Sequence, residues 1–146
     1  MALHLIKLCV GVEDIAHLRR IQRARLDAAR AANPEAMLAH ITRMTPRRSD
    51  ELLDGGSLYW VIKRQIQVRQ RLLDIVRFTD SEGIGRCRLV IDPELVPLRP
   101  HPRRAFQGWR YLEASDAPPD LQTEGSRDAA EMPAEMRASL MEMGLI

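Results

Sequence analysis

The stretch Asp54-Gly-Gly-Ser-Leu-Tyr-Trp-Val-Ile-Lys63 decides the architecture of this 146-residue chain. Ser57 to Lys63 combines aromatic and β-branched side chains, which fill a pleated, buried surface well, and this predicts a strand at the centre of a sheet. Asp54-Gly55-Gly56 before it supplies the left-handed backbone with which a helix stops and the chain turns at once into the next element. The helix it stops is expected to open at Thr45-Pro46, with the threonine hydroxyl as N-cap and the proline at the first helical position, and to continue through Asp50, Glu51, Leu52 and Leu53. Asp54 to Ser57 is therefore turn chemistry and not a phosphate loop, since it leads from helix to strand and no Gly-Lys-Ser/Thr follows.

Upstream, Leu3 to Val10 mixes alternation with a continuous apolar run, as a largely buried strand does, and Gly11 breaks it. From Glu13 the residues Ile15, Leu18, Ile21 and Leu26 recur at helical spacing, with Glu13 and Asp14 in the first turn. Asn33-Pro34 ends that helix near Ala32. Met37 to Met44 predicts a strand, Leu38, His40, Thr42 and Met44 sharing one face. Downstream, Ile66, Val68, Leu72, Leu73, Ile75 and Val76 predict one long or bulged strand, joined through a turn at Thr79 to Gly85 to a return strand from Cys87 to Ile91. Pro93, Pro97, Pro100 and Pro102 deny donors to a central ladder, so residues 93–104 are expected as an extended edge or loop, and Phe106 to Leu112 re-enters the core.

These elements predict an α+β fold: a small mixed or antiparallel sheet, or a pseudo-barrel, flanked by two or three helices. Residues 1–112 form one core domain in this reading. Residues 113–146 form an acidic linker and a short C-terminal helix packing on the same domain, with Pro133 at its start and Met136, Leu140 and Met143 on one face. A hydrophobic fraction of 45% and a charged fraction of 29% exclude a wholly disordered or fibrous chain. Lys7 interrupts the only apolar opening run, so no membrane span or secretory signal is expected, and a cytoplasmic protein is. Cys9 and Cys87 lie far apart without a Cys-x-x-Cys partner, as two buried, reduced thiols would.

The net charge of +2 hides an asymmetry: residues 43–110 carry 14 basic and 8 acidic side chains, whereas residues 111–146 carry 2 and 8. A basic middle and an acidic end either present a positive face to a polyanion or cover that face within the molecule. The sharpest basic feature is Arg99-Pro-His-Pro-Arg-Arg-Ala-Phe-Gln-Gly-Trp-Arg110, with four arginines, two aromatics and no carboxylate. Arginine offers planar, bidentate donors to phosphate and aromatic faces accept unpaired bases. The bland alternative makes Phe106 and Trp109 core anchors and the arginines a solvated loop. Arg43, Arg47 and Arg48 precede the short helix, while Lys63, Arg64, Arg69 and Arg71 follow on strands, Arg69 and Arg71 on one side.

The candidate anion-binding residues are thus Arg43, Arg47, Arg48, Arg69, Arg103, Arg104 and Arg110, with Tyr59 or Trp109 to stack a base. His4, His17, His40 and His101 show no metal-ligand spacing, and neither a nucleophile elbow nor paired carboxylates are legible, so no metal, cofactor or catalytic residue is expected.

Arg43-Met-Thr-Pro-Arg-Arg48, Glu51 to Lys63, Asp92-Pro-Glu-Leu-Val-Pro97 and Phe106-Gln-Gly-Trp-Arg-Tyr-Leu112 together resemble an uncharacterised bacterial family, domain of unknown function 1489, found mainly in alphaproteobacteria. The likeness covers nearly the whole chain. It implies a cytoplasmic bacterial protein and transfers no substrate or catalytic residue. A weaker likeness lies in the order of elements, which is similar to that of small PUA-like barrels, and those commonly bind RNA or modified bases. The leading expectation is a non-enzymatic RNA- or nucleic-acid-binding domain. Its alternatives are a module docking an acidic protein through the proline-framed basic loop, and a small enzyme acting on a phosphorylated or nucleobase substrate between the Trp60 strand and the Trp109 segment.

Overall fold

The computed structural model describes residues 2–121. In chain order the elements are β1 (Leu3–Leu8), α1 (Ile15–Ala32), β2 (Ala39–Thr42), α2 (Ser49–Leu53), β3 (Ser57–Ile62), β4 (Gln65–Thr79), β5 (Gly85–Ile91), β6 (Val96–Pro102) and β7 (Trp109–Glu113), followed by a 3-10 turn at Ala114–Asp116. The strands form one mixed sheet in the order β2-β5-β4-β3-β1-β7, with β6 paired to β4. The α+β class expected from the sequence is the class observed. The helix expected from Pro133 lies outside the described residues. No helix among the described residues is long and apolar enough to cross a membrane.

β3 is buried along its whole length because β1 flanks it in parallel and β4 antiparallel. Side chains alternate across a strand, so β3 serves two cores. Leu58, Trp60 and Ile62 join Leu5, Leu72, Leu89 and the α1 residues Ile15 and Leu18 in the larger one. Tyr59 and Val61 join Ile6, Ile66, Leu98 and Leu112 in the smaller one on the opposite face. β4 is the long, irregular strand expected: its register shifts between Ile66 and Val68 against β6 and between Leu72 and Asp74 against β5. The proline-rich segment after Pro93 is ordered as β6, whose Leu98 also bridges Asp120.

Polar groups pin the helices to the sheet. α1 starts two residues later than the expected Glu13: Asp14 is the N-cap, accepting from the His17 amide at 2.7 Å, and not a first-turn residue. Gln22 on the buried side of α1 exchanges two hydrogen bonds with Gln70 of β4, at 2.9 and 2.7 Å, and Gln70 Oε1 also accepts from the Trp60 indole at 2.8 Å. Such a closed network costs little to bury because every member is satisfied.

α2 departs further from expectation. It begins at Ser49, and neither Thr45 nor Pro46 caps it. The amides of Arg47 and Arg48 instead donate to the Tyr111 hydroxyl at 3.0 and 3.2 Å, which holds them outside the helix. The paired glycines behind α2 have separate tasks. Gly55 takes φ of +86°, while a Cβ on Gly56 would overlap the carbonyl oxygens of Leu3 and Leu52. Of the two cysteines Cys87 is buried as expected, but Cys9 is only partly so.

Candidate functional site

The basic segment after β6 gathers around one aromatic ring. Pro97, Pro100 and Pro102 keep β6 extended to its end. The next amide, of Arg103, donates to the Arg64 carbonyl at 2.8 Å and so ties the segment to the tip of the β3–β4 hairpin. Phe106 is half-buried against the smaller core. The Arg103 and Arg110 guanidinium carbons lie 5.6 and 5.3 Å from its ring centroid, within the range of a cation–π contact. Gly108, at φ +69°, turns the chain from Phe106 into β7 so that Arg110 returns on the same side.

Lys63 and Arg64, expected on strands, are instead the two loop residues of that hairpin, at φ of +49° and +64°. Positive φ at both positions is the type I′ turn, the one in which Asn-Gly is favoured. A lysine and an arginine accept the strain, and their charges project from the tip beside Arg103. Arg48, Arg69 and Arg86 form ion pairs among the described residues; no such pair involves Lys63, Arg64, Arg103, Arg104 or Arg110. Arg104 is exposed in the same segment.

The other residues singled out in the sequence lie elsewhere. Arg43, Arg47 and Arg48 are exposed on the loop that joins β2 to α2, across β7 from Phe106. There the Trp109 indole donates to the Met44 carbonyl at 2.9 Å and its ring meets Tyr111 edge to face at 5.0 Å. Trp109 thus fastens β7 to the segment that follows β2. Arg48 bonds the Glu51 carboxylate and approaches Glu113 at 3.9 Å. The Glu51 contact is the main cause holding the Arg48 guanidinium above its ordinary pKa and the carboxyl below its own.

Tyr59 is buried and Arg69 partly so. Arg69 binds both Asp120 carboxylate oxygens at 2.8 Å and donates to Ser57 Oγ at 3.0 Å. Tyr59 is 4% exposed and meets His4 edge to face at 4.9 Å, which leaves no ring face for a base. The structure therefore assembles Arg103, Arg104 and Arg110 with Lys63 and Arg64, and does not bring the Arg43, Arg47, Arg48 group to them. Phe106, not Trp109, is the ring at the centre. No local pattern announces that choice, because it depends on which side of β7 each residue takes. β1 runs between the Trp60 strand and the Trp109 segment, and its Lys7 is paired with both Trp60 and Trp109.

No three His, Cys, Asp or Glu residues among the described ones gather as metal ligands would. Compared with known proteins, residues 5–146 match the model of a family described as protein of unknown function, DUF1489. No curated protein and no solved structure matches the chain.

Proposed function

We propose a function for the chain, which belongs to the DUF1489 family of proteins of unknown function: it is a binding domain for single-stranded RNA, with no reaction of its own. The observation that carries this is the Phe106 ring with the guanidiniums of both Arg103 and Arg110 against it. An arginine laid against an aromatic ring keeps its outer plane free to stack a splayed base and its in-plane N–H groups free to fork onto phosphate. Because the ring limits the side chain's rotamers, less freedom is lost when an anion arrives. Lys63, Arg64 and Arg104 extend the positive charge beyond the ring, and the excess of basic residues between 43 and 110 adds a field that draws in a polyanion.

Fluorescence anisotropy of a labelled single-stranded RNA, titrated with the full chain at several salt concentrations, tests the reading. With about four phosphates neutralised, log K should fall against log salt with a slope of roughly −3. RNA that fails to bind at low salt, or binds with no salt dependence, overturns it.

A further inference from the structure

On the face of the sheet opposite Phe106, a cleft of about 150 Å³ opens between α1 and the strands β1, β2 and β3. Its polar lining includes Lys7, Cys9, Gln22, Arg25 and His40, with Trp60 among the aromatic and apolar groups, and no carboxylate among the described residues lines it. The His40 ring stands edge-on to Trp60 at 5.1 Å. Its Nε2 is buried, and no protein group among the described residues hydrogen-bonds it. Buried polar atoms are nearly always paired, so this one marks a place where an outside partner would be accommodated. Val10 stands at the rim 81% exposed, an apolar lip on a polar interior.

We propose that this cleft is a binding site for a small organic carboxylate, its charge held by Lys7, Arg25 and His40 Nε2–H and its apolar body lying against Trp60 and the Val10 lip. Two cations reach the site and no carboxylate among the described residues lines it to answer them, which favours an anion. The volume limits the ligand to a body of about benzene's size. The ionisation of the cleft agrees: burial first, then Lys7 and Arg25, hold the His40 imidazole down to about 4, so near neutral pH the ring is uncharged and one nitrogen carries a proton to donate. Burial keeps the Cys9 thiol up at about 11 despite the same two cations, so it lines the wall as a thiol and not as a competing anion. Lys7, also pulled below its ordinary value by burial, is favoured in its charged form by a counter-charge.

Benzoate is a suitable probe, with benzyl alcohol as its uncharged counterpart and inorganic phosphate as an anion lacking an apolar body. Titrated into the isotopically labelled full chain, benzoate should shift the Trp60 indole N–H and the Cys9 and His40 amides saturably, leave the Trp109 indole unmoved, and slow alkylation of Cys9. Arg25→Gln, at an exposed helix position that the fold does not depend on, should weaken benzoate on the order of tenfold, as should Lys7→Met. Benzyl alcohol binding as well as benzoate, phosphate binding as well as benzoate, Arg25→Gln and Lys7→Met both leaving affinity unchanged, or no saturable shift at all would each overturn the proposal.

Discussion

Arg69 and Arg110 lie on the same side of the sheet, next to the same small core, and perform opposite tasks. Arg69 is held at 25% side-chain exposure by a two-point contact with Asp120, itself at 28%. It fastens the segment after β7 back onto β4, and the Asp120 contact raises its pKa further. Arg110 rests on Phe106 and has no carboxylate among the described residues. An arginine answered by a carboxylate belongs to the fold, while one answered only by a ring keeps its charge available, as the proposed RNA site requires. The comparison breaks most visibly at Arg69. Arg69→Met leaves Asp120 uncompensated and should cost about 3 kcal/mol in chemical denaturation. A loss below about 0.5 kcal/mol, the level of an ordinary surface pair, would remove the distinction.

Charges that fail to form sharpen the contrast. His40 faces Lys7 and Arg25, and its folded pKa of about 4 lies below the ordinary 6.5. Between those values the unfolded chain binds the proton and the folded chain does not, so stability is complete above pH 6.5 and is lost as pH falls toward 4. The loss should be about 3 kcal/mol, with His4, lowered by burial and Arg69, acting in the same direction. Denaturation midpoints across this window should flatten in part for His40→Phe. An unchanged slope in that variant would place the acid sensitivity elsewhere.

The unanswered pair is tested by Arg103→Ala with Arg110→Ala. Two exposed cation–π contacts are worth roughly 1 kcal/mol or less in all once solvent is considered, so the melting curve should barely move. RNA affinity should fall about tenfold or more and the salt slope should lose about one unit. Equal loss of RNA binding in Arg69→Met, measured where it is still folded, would mean that pairing with Asp120 does not withdraw an arginine from the ligand.

The strands were legible because their signals are local. Ser57 to Ile62 declares itself by composition, β4 by length and β6 by prolines that fit only an edge, and each stands where periodicity put it. The start of α2 was not, since Thr45-Pro46 carries a sound capping signal and loses to the Tyr111 hydroxyl, more than 60 residues away in sequence. The surroundings of the candidate residues were hidden in the same way. Arg69 looks identical to Arg103 until Asp120, 51 residues on, is folded against it. Lys7, Arg25 and His40 share no motif, because a cleft between a helix and three strands has no period. Arg103, Arg104 and Arg110 were legible as a cluster, since the ring they surround lies within their own segment.

The smallest expected effect separates folding from binding most cleanly. Lys63 and Arg64 occupy left-handed backbone, where a side chain costs roughly 1 kcal/mol per residue and Asn-Gly is the relaxed solution. Lys63→Asn with Arg64→Gly keeps the Arg64 carbonyl that accepts from Arg103, so the segment stays tied to the hairpin while two charges leave its tip. The variant should gain about 1 kcal/mol in stability and yet bind RNA several-fold more weakly, with a shallower salt dependence. Strain kept at a position that relaxes so easily is expected where it serves function. A variant that is more stable and binds RNA as tightly as the parent would show that the hairpin's two cations serve neither folding nor RNA.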